Sequence, residues 1–287
     1  MSAARTEELT PSPVFAPAPP TRRRRRWTRL VLPGYSALVI LYLMTPIFMI
    51  ILYGFNKTGH ANRVTVSYRW QGFTLDWYRR LLEVPDLTAA LKTSLLIAAT
   101  STVVATLLGT LVALALVRYR FRGRGVMDFT LFANIAAPEI VLGASLLALF
   151  VTLGVSRGLL TIFIAHVMFN IAYVTVTVRA RLHGFDRSLE EAAQDLGAGP
   201  WTTFRRVTLP LIFPGILAAA LLAFALSIDD FVITQFNAGQ QTTFPLWVYG
   251  ATRVGIPPQV FVMGTLIFLF GVGLAIANIV LQRRRVS

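Results

Sequence analysis

Cysteine is absent from the 287 residues, which excludes disulfide frameworks, thiolate metal sites and cysteine nucleophiles and leaves the redox compartment unmarked. Histidine is scarce. His60, His166 and His183 lie far apart and outside any spacing such as H-E-x-x-H, so no metal and no other cofactor is expected. Lysine is confined to Lys57 and Lys92, neither of them in a G-x-x-x-x-G-K-[ST] loop, so a nucleotide site is not expected and the chain is not read as an enzyme. Charge of either sign is sparse as well: 14% of the residues are charged against 55% hydrophobic, with a mean hydropathy of +0.63. That balance is too apolar for an ordinary water-soluble domain.

What the chain has instead is long apolar runs. They fall near Tyr35–Tyr53, Ser94–Val117, Met127–Leu153, Leu159–Val178, Leu211–Gln235 and Gln259–Leu281. Each is long enough to cross a hydrocarbon core of roughly 30 Å at 1.5 Å per residue. The expected fold is therefore an all-α membrane protein with six transmembrane helices. Met1–Thr21 is rich in Pro, Ala, Ser and Thr and precedes the basic run Arg22–Arg26, so residues 1–29 are expected to form a disordered basic tail. Residues 30–283 then form the membrane domain and 284–287 a short C-terminal tail. A signal-peptide reading of the first run is set aside because the apolar stretch is of spanning length and no small-residue cleavage site follows it.

The net charge of +14 raises the question of nucleic acid, but the arginines lie in short stretches between apolar runs rather than on one basic face. Nucleic acid is not expected as a partner. With the N-terminus inside, the inner segments hold 19 of the 27 basic residues: Arg5, Arg22–Arg26, Arg29, Arg118, Arg120, Arg122, Arg124, Arg179, Arg181, Arg187, Arg205, Arg206 and Arg283–Arg285. Both termini are then cytoplasmic by the positive-inside rule.

Two connections are too long for simple turns. The outer one, Gly54–Thr93, contains Thr74-Leu75-Asp76-Trp77-Tyr78-Arg79-Arg80-Leu81-Leu82, read as an interfacial helix with a threonine cap. It serves either as an aromatic anchor or as a docking element. The inner one, Arg179–Pro210, reads Ser188-Leu189-Glu190-Glu191-Ala192-Ala193-Gln194-Asp195-Leu196-Gly197. Ser188 and Glu191 have capping-box spacing, Gly197 or Gly199 suits the stop, and Leu189, Ala192, Ala193 and Leu196 share one face. Pro200 opens a second short helix through Val207, which Leu209-Pro210 is expected to break before the next span.

These residues resemble the integral membrane subunits of binding-protein-dependent ABC importers. The family signature is Glu-Ala-Ala, three residues, Gly, nine residues, Ile, one residue, Leu-Pro. Here it stands as Glu191-Ala192-Ala193, Gly197, Val207 and Leu209-Pro210, with valine in place of isoleucine. The resemblance implies a type I ABC importer permease fold, with a coupling helix seated on a separate ABC ATPase subunit. Glu191, Ala192, Ala193, Leu196, Gly197, Leu209 and Pro210 are then the coupling residues. It further implies a second permease subunit and an extracytoplasmic solute-binding protein as partners. Within the family, Ile135–Glu139, Trp70–Tyr78 and Leu226–Val232 look like segments of the spermidine/putrescine-type permeases.

Three acids fall within the apolar runs and are candidates for the translocation pathway: Glu139, Asp229 and Asp230. Counted along a straight helix from Met127, Glu139 is about 18 Å deep, where a carboxylate needs a wet cavity or a partner. Either a pathway role or a structural hydrogen bond would meet that need. Asp229 and Asp230 point about 100° apart on a regular helix, so both line one path only if the helix is irregular there. His166 and Asn170 share a face of the fourth run, placed for helix-to-helix hydrogen bonds or for substrate contact. The rival classes are a secondary transporter, for which no inverted repeat is visible, and a membrane-embedded enzyme, for which Glu139 and His166 lack a third member. A cationic cargo such as a polyamine fits the three acids.

Overall fold

The computed structural model describes residues 26–57, 66 and 68–283. The expected tail up to residue 25, His60, Arg63 and the last four residues lie outside them. Two compact units divide at Pro46. The first holds the beginning of α1 (Arg26–Gly54), whose apolar side chains Val31, Leu32, Tyr35, Leu38 and Leu41 all stand exposed. A helix apolar all round and uncovered by its own unit suits lipid or another subunit.

The second unit runs from Ile47 to the C-terminus and is helical throughout, with no strand among the described residues. After the single turn α2 (Asp76–Arg79) come α3 (Pro85–Arg118), α4 (Arg124–Ala136), α5 (Glu139–Thr152), α6 (Leu159–His183) and α7 (Ser188–Asp195). There follow α8 (Pro200–Thr203), a π turn (Phe204–Thr208), α9 (Leu209–Ile228), α10 (Val232–Asn237), α11 (Phe244–Val254) and α12 (Pro258–Arg283). Among the described residues five helices are long and apolar enough to cross a membrane, and α4 with α5 makes a sixth crossing or a re-entrant pair bent by 112°.

The packing centre is the trio α3, α6 and α9. Ala113, Leu114, Val174, Val178, Leu182, Ile212, Ala219 and Ala223 form its buried core. Small residues let the backbones approach. A Cβ on Gly109 would lie 2.7 Å from Val174 Cγ1, and the Thr175 hydroxyl reaches across to donate to the Gly109 carbonyl at 3.2 Å.

Three expectations are corrected. The run Met127–Leu153 is not one straight helix: Pro138 drives Ala137 to an extended backbone (φ −71°, ψ 138°) and the chain turns sharply between α4 and α5. The depth counted for Glu139 along a straight rod therefore does not hold. Leu209-Pro210 does not break the chain, because the π turn lets the Leu209 N–H bond the Phe204 carbonyl one residue further back than an α-helix would. Residues Pro200–Ile228 thus make one 29-residue helix. Third, the interfacial helix of the outer loop shrinks to one turn, Asp76–Arg79. Its neighbourhood is organised by buried Asn56, whose amide donates to the Arg69 carbonyl and accepts from Gln71 N–H, while Trp77 Nε1 donates to the Asn56 carbonyl.

Candidate translocation cavity and coupling loop

The α9–α10 junction decides the first site. The helix ends at Ile228, Asp229 takes a bridge-like backbone (φ −99°, ψ −2°), and the chain restarts at Val232. Asp230 caps that restart: its Oδ2 accepts the Thr234 N–H at 2.8 Å and the Thr234 hydroxyl at 2.6 Å. With the helix interrupted, Asp229 and Asp230 both reach one cavity, together with Glu139. The irregularity required for both aspartates to share a path is present.

The cavity measures about 270 Å³. Phe169, Tyr173, Phe231, Leu142 and Leu226 supply its apolar and aromatic wall, and Asn134 and Ala137 complete the side near α4. Glu139 occupies the first turn of α5, where the positive end of the helix dipole favours a carboxylate. Glu139 and Asp229 are exposed to the cavity, whereas the Asp230 side chain is 6% exposed and bonded. The three candidate acids therefore divide into two open carboxylates and one capping carboxylate.

His166 is buried and does make the expected helix-to-helix bonds. Its Nδ1 meets Ser227 Oγ at 2.6 Å, its Nε2 meets Thr234 Oγ1 at 2.9 Å, and Nε2 lies 3.3 Å from Asp230 Oδ2. Ser227 continues to Ser101 Oγ on α3 at 3.1 Å. Asn170, equally buried, makes no side-chain hydrogen bond among the described residues. Asp128, at the start of α4, pairs with Arg179 of α6 and lies 3.9 Å from Arg124.

The coupling loop forms the second site. The helix expected from the pattern is α7, but its cap differs. Asp186 Oδ1, rather than Ser188, accepts a first-turn N–H, that of Ser188 at 3.0 Å, and that bond holds the Asp186 carboxyl below its ordinary range. No capping-box bond joins Ser188 and Glu191, because Ser188 lies inside the helix rather than before it. The stop is as expected: Gly197 adopts φ +87°, its N–H bonds the Gln194 carbonyl, and Ala198 N–H bonds the Ala193 carbonyl, a Schellman arrangement.

Glu190 was not among the expected coupling residues, yet it ties α7 to the bundle. Its carboxylate accepts from Arg118 at the end of α3 and from the Thr208 hydroxyl in the π turn. Arg187 adds a bond to the Val117 carbonyl at 3.2 Å. Glu191 and Ala192 face outward, and Ala193 is half-buried. Leu196 is 90% exposed and Trp201 71% exposed, so the foot of the loop presents uncovered apolar surface. Leu209 and Pro210 sit where the π turn passes into α9.

Five or six apolar crossings among the described residues, a helix-break cavity holding open acids and an anchored loop helix with an exposed apolar foot define a membrane transport subunit. A family model described as "Binding-protein-dependent transport system inner membrane component" matches residues 105–286. The chain belongs to that family of multi-pass inner-membrane permeases. It is 38% identical over 256 residues to the spermidine/putrescine transport system permease protein PotC of Escherichia coli K12, covering 89% of this chain and 95% of the relative. It is 43% identical over 234 residues to the putrescine transport system permease protein PotI of the same strain, covering 79% and 81%. Among solved structures it resembles a bacterial ABC transporter involved in the import of the acidic polysaccharide alginate, with a TM-score of 0.61 at 12% identity over 91% of this chain and 99% of that one. It also resembles the MetNI methionine ABC transporter, with a TM-score of 0.55 at 16% identity over 74% and 99%. These two likenesses concern the fold.

Proposed function

We propose that this permease forms the route by which an ATP-driven importer carries polyamines such as spermidine or putrescine. The observation that carries the cargo is the cavity: two open carboxylates, Glu139 and Asp229, set among Phe169, Tyr173 and Phe231. A fold shared with an importer of an acidic polysaccharide does not choose the cargo, so the side chains must. Carboxylates placed where little water reaches attract ammonium groups, and aromatic faces add cation–π contact along a methylene-rich chain. The relatives named for spermidine and putrescine transport favour the same chemistry.

In this reading ATP is hydrolysed on separate ABC ATPase subunits that receive α7. Glu191, Ala192, Ala193 and Leu196 face the ATPase, Gly197 sets the end of the helix, and Leu209-Pro210 join the loop to α9. A second permease subunit closes the other side of the path, and an extracytoplasmic binding protein sets affinity. With affinity set outside, Glu139 and Asp229 bind weakly enough for release, and both termini lie in the cytoplasm. The test is uptake of labelled spermidine and putrescine into vesicles containing the assembled system, with a neutral sugar and an anion as controls. Saturable uptake of a polyamine alone supports the reading, and uptake of the sugar or anion with neither polyamine overturns it.

A further inference from the structure

We propose that His166 is a positioning residue for the cavity: with Ser227 already held by α9 and Ser101, the ring's Nε2 fixes Thr234 and Asp230 beyond the α9–α10 break and so aims Asp229 into the path. His166 does not itself line the cavity, so its action must pass through its partners. Ser227 lies two residues before Asp229, and Asp230 and Thr234 follow it. All three meet the ring, at 2.6 Å through Nδ1 and at 3.3 and 2.9 Å through Nε2. Asp229 is thus the free residue between fixed points.

The hydrogen count places a hydrogen on one of the ring's two nitrogens. The Thr234 hydroxyl spends its one hydrogen on Asp230 Oδ2, so toward His166 it can only accept, and Nε2 must carry a hydrogen. On the other side, Ser227 can donate to Nδ1 while accepting from Ser101. The clamp reaches further through α10. Gly143 of α5 lies so close that a Cβ there would fall 2.7 Å from Phe236 Cδ2, and Asn237 Nδ2 donates to the Gly143 carbonyl at 3.4 Å. Because Glu139 opens that same α5, the ring fixes the frame of both open acids.

The two nitrogens can be tested apart, since the amide of glutamine reaches roughly where Nε2 lies and that of asparagine roughly where Nδ1 lies. In the assembled transporter, H166Q keeps the link to Thr234 and Asp230, and H166N keeps only the link to Ser227. The expected result is a polyamine KM within about twofold of wild type for H166Q and raised about tenfold for H166N, the size of one lost hydrogen bond to a charged group. In a D229N background the tenfold effect should vanish, since the residue acted upon is already neutral. Equal KM values for H166Q and H166N, or a tenfold effect that persists beside D229N, would overturn the proposal.

The inference rests on the polyamine reading only for its cargo, and a cargo-free measurement separates the two. The chain has no cysteine. D229C therefore gives a single target in this subunit for a cationic methanethiosulfonate reagent, with labelling followed by the mass of this chain. The labelling rate should hold within twofold beside H166Q and change at least fivefold beside H166N, whatever solute is carried. Equal rates in the two backgrounds sink the proposal even if polyamine uptake is intact. Should H166N not assemble, T234V, which removes the hydroxyl facing Nε2, carries the same prediction. If neither assembles, or if H166Q also fails to assemble, the ring is structural only and the proposal is overturned.

Discussion

Replacing Glu190 with alanine removes the carboxylate that holds α7 against both Arg118 and Thr208. The Glu190 side chain is 16% exposed and that of Arg118 27%, so the pair is neither a free surface ion pair nor a sealed one. Hydrogen bonds to charged groups contribute about 1.5–3 kcal/mol each, and loss of one partner from a fully buried pair costs about 3–5 kcal/mol. Water at the foot of the bundle relaxes the stranded Arg118, which retains the Thr208 hydroxyl at 3.2 Å, so the lower range applies. A loss of about 2 kcal/mol corresponds to roughly a 30-fold fall in protection of the α7 amides against hydrogen exchange. The six spans should keep their protection, while hydrolysis by the ATPase becomes less dependent on transport. Glu191→Ala supplies the contrast. Its side chain is exposed and forms no cap bond, so α7 protection should stay within about threefold, and any defect must come from the partner that covers it. Wild-type protection in Glu190→Ala, or equal loss in both variants, would refute this account of the anchor.

The acids should separate by role. Glu139→Gln and Asp229→Asn are expected to lower polyamine uptake with the assembled complex unchanged, whereas Asp230→Ala should lower its thermal unfolding temperature because it strips the α10 cap and a His166 partner, a loss of about 0.5–2 kcal/mol for the cap alone. Gly109→Ala should destabilise the α3–α6 contact by about 1–3 kcal/mol through crowding of Val174, read as reduced thermal stability in detergent. Gly197→Val should cost about 1–2 kcal/mol at its φ of +87°, and Gly197→Asn less; exchange of the α7 amides measures both. Acid should loosen the start of α7: the lowered Asp186 pKa means that its contribution is full above the unfolded value of about 3.9 and fades as pH falls through the folded one, seen as faster Ser188 exchange after correction for intrinsic rates.

The spans were legible because a bilayer demands apolar length, and length is written along the chain. Where the reading failed, partners distant in sequence or local backbone detail decided the outcome. Pro138 carried the signal for the α4–α5 bend, but a continuous apolar run masked it. Pro210 carried the opposite signal, and a π turn absorbed it. Ser188 and Glu191 had the spacing of a cap, yet Asp186, two residues before Ser188, took the available N–H. Glu190 stood beside the recognised motif and gave no sign of its role, because Arg118 lies 72 residues away. The paired aspartates were placed at one path only conditionally, and the break that satisfies the condition depends on Asp230 itself as a cap.

The uninterrupted helix from Pro200 to Ile228 turns the coupling loop and the cavity into the two ends of a single rod. Beyond the π turn the rod runs for the 20 residues of α9, roughly 30 Å at 1.5 Å each, so a tilt of about 5° at that turn sweeps the cavity end through about 3 Å. The π turn Phe204–Thr208 is the place in that rod where the hydrogen-bond register changes. Were a partner to drive the foot, a small stroke there would be geared up at Asp229 without any intervening chain of side-chain rearrangements.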